Sequence, residues 1–223
     1  DILEQEPPFM IRLLHRAGSQ QEAVMTSNDP ADYTIRVRFQ IPSGDGIGFE
    51  NAEQNLTTLN NNLITLKSRR TDQPIKDAEW LSLWCSGWDS EAQADYASSL
   101  LMDSLRRACA RCNLGADLGR RAAQGGFTRA GLEMVQQKTG RPVLNDFHGP
   151  MTFPTNLKPL FAGTGPVRAT VTVHSERWRQ AFNHAIEQEL YMNERERTAF
   201  DLFTSAHSIE ASTDARFALL FSS

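Results

Sequence analysis

Alternation of apolar and polar side chains is the clearest pattern in the chain and falls on residues 33–41. In the run YTIRVRFQI, five apolar residues alternate with four polar ones. Successive side chains of a strand point to opposite faces of its sheet, so the run predicts a strand with one buried face. Arg36 and Arg38 have the other parity, and we expect them to point away into solvent. Residues 80–85 and 167–173 predict two further strands from their aromatic and β-branched side chains.

Other segments have apolar residues at intervals of three and four, which predicts amphipathic helices. Residues 49–66 show this spacing, with an ending in a strand left open, and so does the segment that follows Ser90. Ser90 and Gln93 form a capping-box pattern, which predicts a helix ending near Gly115. Further helices are expected after Thr128, after Ser175, at the Asn193–Glu196 capping box and near Asp214.

Glycine and turn-forming residues mark the connections between these elements. The GDGIG run at 44–48 follows Pro42 and is interpreted as a turn that leads from a strand into a helix. Residues 115–154 are rich in such residues and predict an irregular connection, interrupted by a short helix that ends at Gly140.

The order of the elements predicts an α+β fold with two parts. A small mixed or antiparallel sheet packed with helices is expected over residues 1–174, and an all-helical segment over 175–223. The last residues end in an apolar pattern, which predicts that the native protein continues. We therefore expect Phe217 and Phe221 to lie on an incompletely covered surface that favours self-association or a partner protein.

Composition narrows the classes of function. The formal net charge of −4 gives no general attraction to nucleic acid or to an anionic membrane, so such a partner would have to meet a local patch. No apolar run approaches the roughly 20 residues that span a bilayer, and the odd number of cysteines suits a reducing compartment. We predict a cytoplasmic protein without a membrane segment.

Cys109 and Cys112 have the CxxC spacing of zinc sites and redox dithiols. A structural zinc site needs two more ligands, and the sequence has no second CxxC motif to supply them. Both cysteines also fall on the apolar stripe of the predicted helix after Ser90. We therefore predict that they are reduced, buried and metal-free, and we expect no cofactor.

The segment NERERTAFDLFTSA at 193–206, followed by ARFALL at 215–220, resembles uncharacterised bacterial proteins that carry a HEPN-like helical domain. The motifs GWDS at 87–90, LGADLG at 114–119 and NDFHGP at 145–150 are similar to their N-terminal regions. The resemblance implies that residues 175–223 begin a HEPN-like bundle. Such families include metal-independent ribonucleases and non-catalytic binding modules, often in toxin and antiviral defence systems.

HEPN ribonucleases use an arginine and a histidine separated by a few residues to handle the scissile phosphate of RNA. Arg179 and His184 fit that spacing, so the resemblance implies them as candidate catalytic residues. Arginine supplies a fixed charge that suits phosphate, and histidine exchanges a proton near neutral pH. A helix face with a solvated arginine is the alternative interpretation.

Two basic clusters and one polar loop complete the candidate sites. The clusters are Lys67, Arg69 and Arg70, and Arg106, Arg107 and Arg111, and they are the surfaces through which RNA or DNA would bind. Asp146 and His148 lie in the NDFHG loop, where a ligand site or a loop-ordering hydrogen-bonded pair is expected.

Three functions follow from these patterns. The first is a non-catalytic module of a larger bacterial protein that recognises a ligand, a nucleic acid or a protein. The second is a metal-independent ribonuclease acting through Arg179 and His184. The third is a structural or oligomerisation segment.

Overall fold

The computed structural model describes residues 32–41, 45–119, 126–161 and 171–208. Within these ranges the strands are β1 (Tyr33–Gln40), β2 (Asp45–Ile47), β3 (Glu53–Leu59), β4 (Asn62–Ser68), β5 (Trp80–Trp88), β6 (Val143–Asp146), β7 (Gly149–Pro154), β8 (Lys158–Phe161) and β9 (Val171–Val173). The helices are α1 (Glu91–Arg111), α2 (Arg129–Thr139), α3 (Ser175–Glu187) and α4 (Glu194–Ser208), and a short 3-10 helix spans Ile75–Asp77.

The main sheet has five strands in the order β3-β4-β5-β1-β7, and each neighbouring pair is antiparallel. Two small parallel pairs accompany it, β2 with β9 and β6 with β8. The predicted α+β class with a small antiparallel sheet is therefore confirmed.

The apolar face of β1 lies in the core, as its alternation predicts. Val37 is opposite Leu83 of β5, which is in turn opposite Leu66 of β4, and all three side chains have no exposed surface. Helix α1 packs over β1 and β7, and α3 packs on α1. The core is thus a layer between one sheet face and two helices.

The prediction that Arg36 and Arg38 point into solvent is wrong. They do lie on the opposite sheet face from Val37, but β6 and β8 cover that face, and the two arginines are 0% and 6% exposed. Alternation correctly separates the two faces of the strand. The alternation does not show whether the polar face is exposed to solvent or is covered by another layer of the same chain.

Residues 49–66, predicted as a helix, instead form the greater part of the β3–β4 hairpin. Asn60 and Asn61 both have positive φ angles, 49° and 67°, which is the geometry of a two-residue hairpin turn that asparagine tolerates. A register irregularity between Asn55 and Thr57 lets Leu56 and Leu59 both be buried although they are three residues apart. The bulge accounts for the helix-like spacing of Leu56 and Leu59, whereas Leu63 of β4 shares that spacing and is 47% exposed.

Helix α1 begins as its capping pattern predicts, because the side chain of Ser90 accepts a hydrogen bond from the backbone N–H of Gln93. Helix α4 has the complete capping box. The backbone N–H of Glu196 donates to Asn193 Oδ1 at 3.0 Å, and the backbone N–H of Asn193 donates to Glu196 Oε2 at 2.9 Å. Helix α3 differs, since His174 occupies its N-cap position without a side-chain hydrogen bond and Ser175 is its first residue.

The buried side chains of helix α3 are part of the core that packs against the main sheet. The ring of Trp178, which has no exposed surface, stacks on Phe182 with a centroid distance of 5.4 Å. Both residues join the same buried cluster as Val37, and Phe200 of α4 joins it as well. The described chain therefore packs continuously across the predicted boundary at 174.

The region 115–154 is more regular than predicted. Helix α2 is capped by Thr128 and ends at Gly140 with φ of 65°, as expected, but β6 and β7 follow it. The GDGIG run does not lead into a helix either, because residues 45–47 form β2 and pair with β9. The predicted helix near Asp214, with Phe217 and Phe221, lies outside the described residues.

None of the helices in the described ranges has the length and apolar character needed to cross a membrane.

Candidate functional site: a groove between α1 and α3

A groove lies where the C-terminal end of α1 meets the exposed side of α3. Arg177, Ala181 and His184 are four and three residues apart on α3, so they project from one face of the helix. The small side chain of Ala181 leaves room between the two longer ones. Arg111, the last residue of α1, faces them. The groove follows directly from the packing of α3 on α1.

The mouth of the groove is a cleft of about 490 Å³ lined by Arg111, Arg177, Gln180, Ala181 and His184. No carboxylate is among these lining residues. Within the described part of the chain, neither Arg111 nor Arg177 forms a salt bridge with an acidic residue. As far as the described residues show, the mouth therefore presents two guanidinium groups and an imidazole without a paired carboxylate.

Arg177 is oriented by the end of α1. Its Nη2 donates a hydrogen bond to the backbone carbonyl of Arg111 at 2.9 Å. The last carbonyls of a helix lack partners within the helix, so this bond satisfies one of them and also places a cation at the negative end of the helix dipole. No other hydrogen bond of Arg177 is present within the described residues, and its exposed side chain lines the mouth.

The groove continues into an apolar pocket of about 160 Å³. It shares Arg111, Ala181 and His184 with the mouth and is closed by aliphatic side chains, namely Ala110, Ala185, Leu190 and Met192, with Arg107 at its edge. A cavity of about 150 Å³ accepts a ligand the size of benzene, so this pocket has room for one aliphatic side chain.

Hydrogen bonds from α1 hold the far wall of the apolar pocket. Arg107 donates to the backbone carbonyls of Leu190 at 3.3 Å and Tyr191 at 3.1 Å, and it also pairs with Glu196. Asp103 accepts a hydrogen bond from the backbone N–H of Met192 at 2.9 Å. The pocket is therefore formed before any ligand arrives.

Asp103 also anchors α4 to α1. Its carboxylate, 1% exposed, pairs with Arg197 at 2.7 Å and with Arg106 at 2.9 Å. Burial of this carboxyl raises its pKa, but the hydrogen bonds from Arg197 and from the backbone of Met192, with the charges of both arginines, outweigh burial. The pKa of Asp103 consequently lies below its ordinary value.

The structure does not bring Arg179 and His184 to one surface. Residues five positions apart are separated by about 140° around a helix axis. Arg179 pairs with Glu176 at 2.6 Å and is absent from the lining of the groove, whereas His184 lines both of its parts. Arg177, which sequence reasoning missed, shares the face of His184. Its spacing of seven residues from His184, two helical turns, was the available signal.

The predicted basic clusters are largely neutralised. Lys67 pairs with Glu53 at 3.0 Å, and Arg70 pairs with Asp72 at 2.9 Å. The guanidinium of Arg69 lies 5.6 Å from the ring centroid of Phe161. Arg106 is 8% exposed and Arg107 is bound to Glu196 and to backbone carbonyls, so only Arg111 of the second cluster reaches the groove mouth.

Asp146 and His148 do not form the expected pair with each other. Asp146 is 1% exposed and its carboxylate contacts Arg36 and Arg38. His148 bonds through Nε2 to the backbone carbonyl of Asp117 at 2.7 Å, which makes that nitrogen the donor. The two side chains belong to different contacts of the same covered sheet face.

Cys109 and Cys112 are buried, as predicted, and neither is in a disulfide. Burial raises the pKa of Cys109 to about 12, and it raises that of Cys112 as well, although the charge of Arg177 opposes the shift at Cys112. In the ranges that the structure describes, no group of three or more histidine, cysteine and acidic residues is arranged to hold a metal ion.

Comparisons of this chain with protein-family models, with curated proteins and with solved structures find no match.

Proposed function

We propose that this chain is a recognition module whose α1–α3 groove binds an acidic segment of a partner protein. A carboxylate of the segment pairs with Arg111 and Arg177 at the mouth, and an aliphatic side chain beside it enters the apolar pocket. The observation that carries this proposal is the convergence of two guanidinium groups, without a carboxylate among the lining residues, on the opening of an apolar pocket.

The size of each contribution indicates a modest affinity. Exposed ion pairs contribute about 0.2–1 kcal/mol each, and burying one leucine-sized side chain contributes about 1.5–3 kcal/mol. Binding a flexible segment also costs ordering entropy. These terms sum to at most about 5 kcal/mol before the ordering cost, so we expect dissociation constants on the order of 1 mM for a short peptide, which is typical of a site that acts within a larger assembly.

The chemistry of the groove favours a peptide over single-stranded nucleic acid. Proteins that bind single strands stack the bases mainly on large aromatic side chains, and no phenylalanine, tyrosine or tryptophan is among the residues that line the mouth or the pocket. The net charge of −4 further weakens general attraction to a polyanion.

A metal-independent ribonuclease is the second candidate, and one observation favours it: His184 shares the groove mouth with Arg111 and Arg177. There an arginine would hold the scissile phosphate and the imidazole would exchange the proton of the 2′-hydroxyl. A ribonuclease site that uses Arg179 with His184 would require Arg179 to break its salt bridge with Glu176, which has a length of 2.6 Å.

Fluorescence anisotropy with three labelled probes separates these functions. The probes are a decapeptide of alternating glutamate and leucine, the same peptide with glutamine in place of glutamate, and a decamer of single-stranded RNA. The proposal expects saturable binding of the glutamate peptide, at least fivefold weaker binding of the glutamine peptide, and RNA binding weaker than both. Equal binding of both peptides, or no binding up to several millimolar, contradicts the proposal. Cleavage of the RNA in the presence of EDTA would establish the second candidate instead.

A further inference from the structure

The covered face of the main sheet contains a buried excess of positive charge. Arg36 and Arg38 of β1 are 0% and 6% exposed, and Asp146 of β6 is the carboxylate that both contact. Moving an ion out of water costs several kcal/mol even after relaxation, and one carboxylate compensates only one of these guanidinium groups. A second anion would balance the remaining positive charge of the two arginines.

Most, but not all, of the buried N–H donors of Arg36, Arg38 and the neighbouring Trp80 have hydrogen-bond acceptors. Arg36 donates through Nη1 to the carbonyls of Phe147 at 2.7 Å and Gly149 at 3.0 Å, and its Nη2 contacts Asp146. Arg38 donates to Asp146 through Nε at 3.0 Å and Nη2 at 2.6 Å. Three donors remain without a hydrogen-bond partner: Arg36 Nε, Arg38 Nη1 and Trp80 Nε1. Buried donors without acceptors are rare in folded proteins.

Arg38 and Trp80 share a neighbourhood. In the β1–β5 register Arg38 is opposite Ser82 and Gln40 is opposite Trp80, so Arg38 and Trp80 are diagonal neighbours on one face. The ring of Phe161 contacts both, with its centroid 4.2 Å from the Arg38 guanidinium carbon and 4.8 Å from the Trp80 ring centroid. The ring of His148 lies 4.9 Å from that of Trp80.

Among the described residues near this face, Asp117 and Glu79 have other partners. Asp117 Oδ1 accepts the backbone N–H of Gly119 at 3.1 Å, and Glu79 accepts a hydrogen bond from the side chain of Gln40. The segments that directly follow Gly119 and Phe161 in the sequence, residues 120–125 and 162–170, contain no aspartate or glutamate. Burial lowers the pKa of Arg36 to about 10, with Asp146 opposing and Arg38 adding to the shift, which reflects the same incomplete compensation.

We propose that a small oxyanion binds between Arg38 and Trp80 as the second counter-charge of this centre. One oxygen would accept Arg38 Nη1–H and another Trp80 Nε1–H, and the charge would offset the excess positive charge that a single carboxylate leaves on Arg36 and Arg38 together. Phe161 is half-buried at the end of β8 and its ring lies over the Arg38 guanidinium, so the proposed site requires this ring to move when the anion binds. The ligand is a phosphate or a carboxylate group, since both offer two acceptor oxygens in this arrangement.

Thermal unfolding at constant ionic strength tests this site, with sodium phosphate, sodium acetate and sodium chloride as separate arms. The site predicts a saturable rise of several degrees in the unfolding midpoint with phosphate or with acetate, but not with chloride. The arm that saturates at the lower concentration identifies the group that the site prefers. Equal effects of all three salts would overturn the proposal, because they would report ionic strength alone.

Two variants locate the effect. Trp80→Phe keeps an aromatic ring but removes the Nε1 donor together with part of the indole, so the anion-dependent rise should fall by at least half. Arg38→Met removes the Nη1 donor and the excess guanidinium of this centre, and it should abolish the rise. Lys67→Met is the matched control, since Lys67 is a partly exposed cation on the same sheet face, and it should leave the rise unchanged. An undiminished rise in Trp80→Phe, whether or not Arg38→Met folds, would overturn the site.

Discussion

Replacing Asp103 by asparagine should destabilise the fold more than any surface charge change in the described chain. The carboxylate is 1% exposed and has three partners: Arg106, Arg197 and the backbone N–H of Met192. Asparagine keeps an acceptor for Met192 but places a neutral amide between two guanidinium groups.

The magnitude follows from the loss of a buried charge partner. Removing one member of a buried ion pair costs about 3–5 kcal/mol, because the remaining charge is left uncompensated. Arg197 retains access to water, with 38% of its side chain exposed, which places the expected loss at the lower end, about 3 kcal/mol. For a domain of this size that corresponds to a fall of about 6–12 °C in the unfolding midpoint.

Urea unfolding followed by circular dichroism measures this loss, and its pH dependence identifies the cause. The pKa of Asp103 lies below its ordinary value in the folded protein, so its contribution is present above the unfolded pKa and is lost as pH falls through the folded pKa. The difference between wild type and Asp103→Asn should therefore shrink below about pH 4.

The exposed pair of Arg129 and Glu133 provides the control. Its side chains are 90% and 59% exposed, so Glu133→Gln should change stability by less than about 0.5 kcal/mol. Two results would refute the reasoning. One is a loss of stability below about 0.5 kcal/mol for Asp103→Asn at neutral pH. The other is a stability difference between wild type and Asp103→Asn that stays constant down to pH 3.

Two further predictions concern local structure. Gly119 has φ of 90°, and an added Cβ would lie 2.7 Å from the backbone nitrogen of Gly149, so Gly119→Ala should cost more than about 3 kcal/mol in chemical unfolding. Gly140→Ala, where φ is 65° but nothing lies within 4 Å, should cost only about 1–2 kcal/mol, and equal losses would contradict this account. In labelling with a thiol reagent, Cys112 should react first, and Cys109 should react only on unfolding because burial raises its pKa to about 12. Mass spectrometry of a digest identifies the labelled cysteine. Early modification of Cys109 would contradict this prediction and show that this end of α1 opens.

Local sequence signals predicted the elements that local interactions determine. The alternation at 33–41, the cap at Ser90 and the capping box at Asn193 each correspond to a hydrogen-bonding or side-chain pattern within a few residues, and each is present in the structure. The β3–β4 hairpin escaped prediction because its bulge gave two buried leucines the spacing of a helix.

Tertiary contacts decided what sequence could not predict. Arg36 and Arg38 are buried because β6, distant in sequence, brings Asp146 over their side of the sheet. The candidate groove depended on which face of α3 turns toward α1. A helical projection groups Arg177 with His184, but only the packing of α3 shows that this face, rather than that of Arg179, borders a cleft.

The most direct test of the proposed recognition function compares Arg177→Gln with Arg179→Gln in binding of the glutamate–leucine decapeptide. The two residues lie two positions apart on α3, but only Arg177 lines the groove, while Arg179 pairs with Glu176. Losing one exposed ion pair of up to about 1 kcal/mol should weaken peptide binding about fivefold in Arg177→Gln, and Arg179→Gln should stay within about twofold of wild type. Equal effects of the two substitutions, or a larger effect of Arg179→Gln, would contradict the assignment of the groove as the binding site.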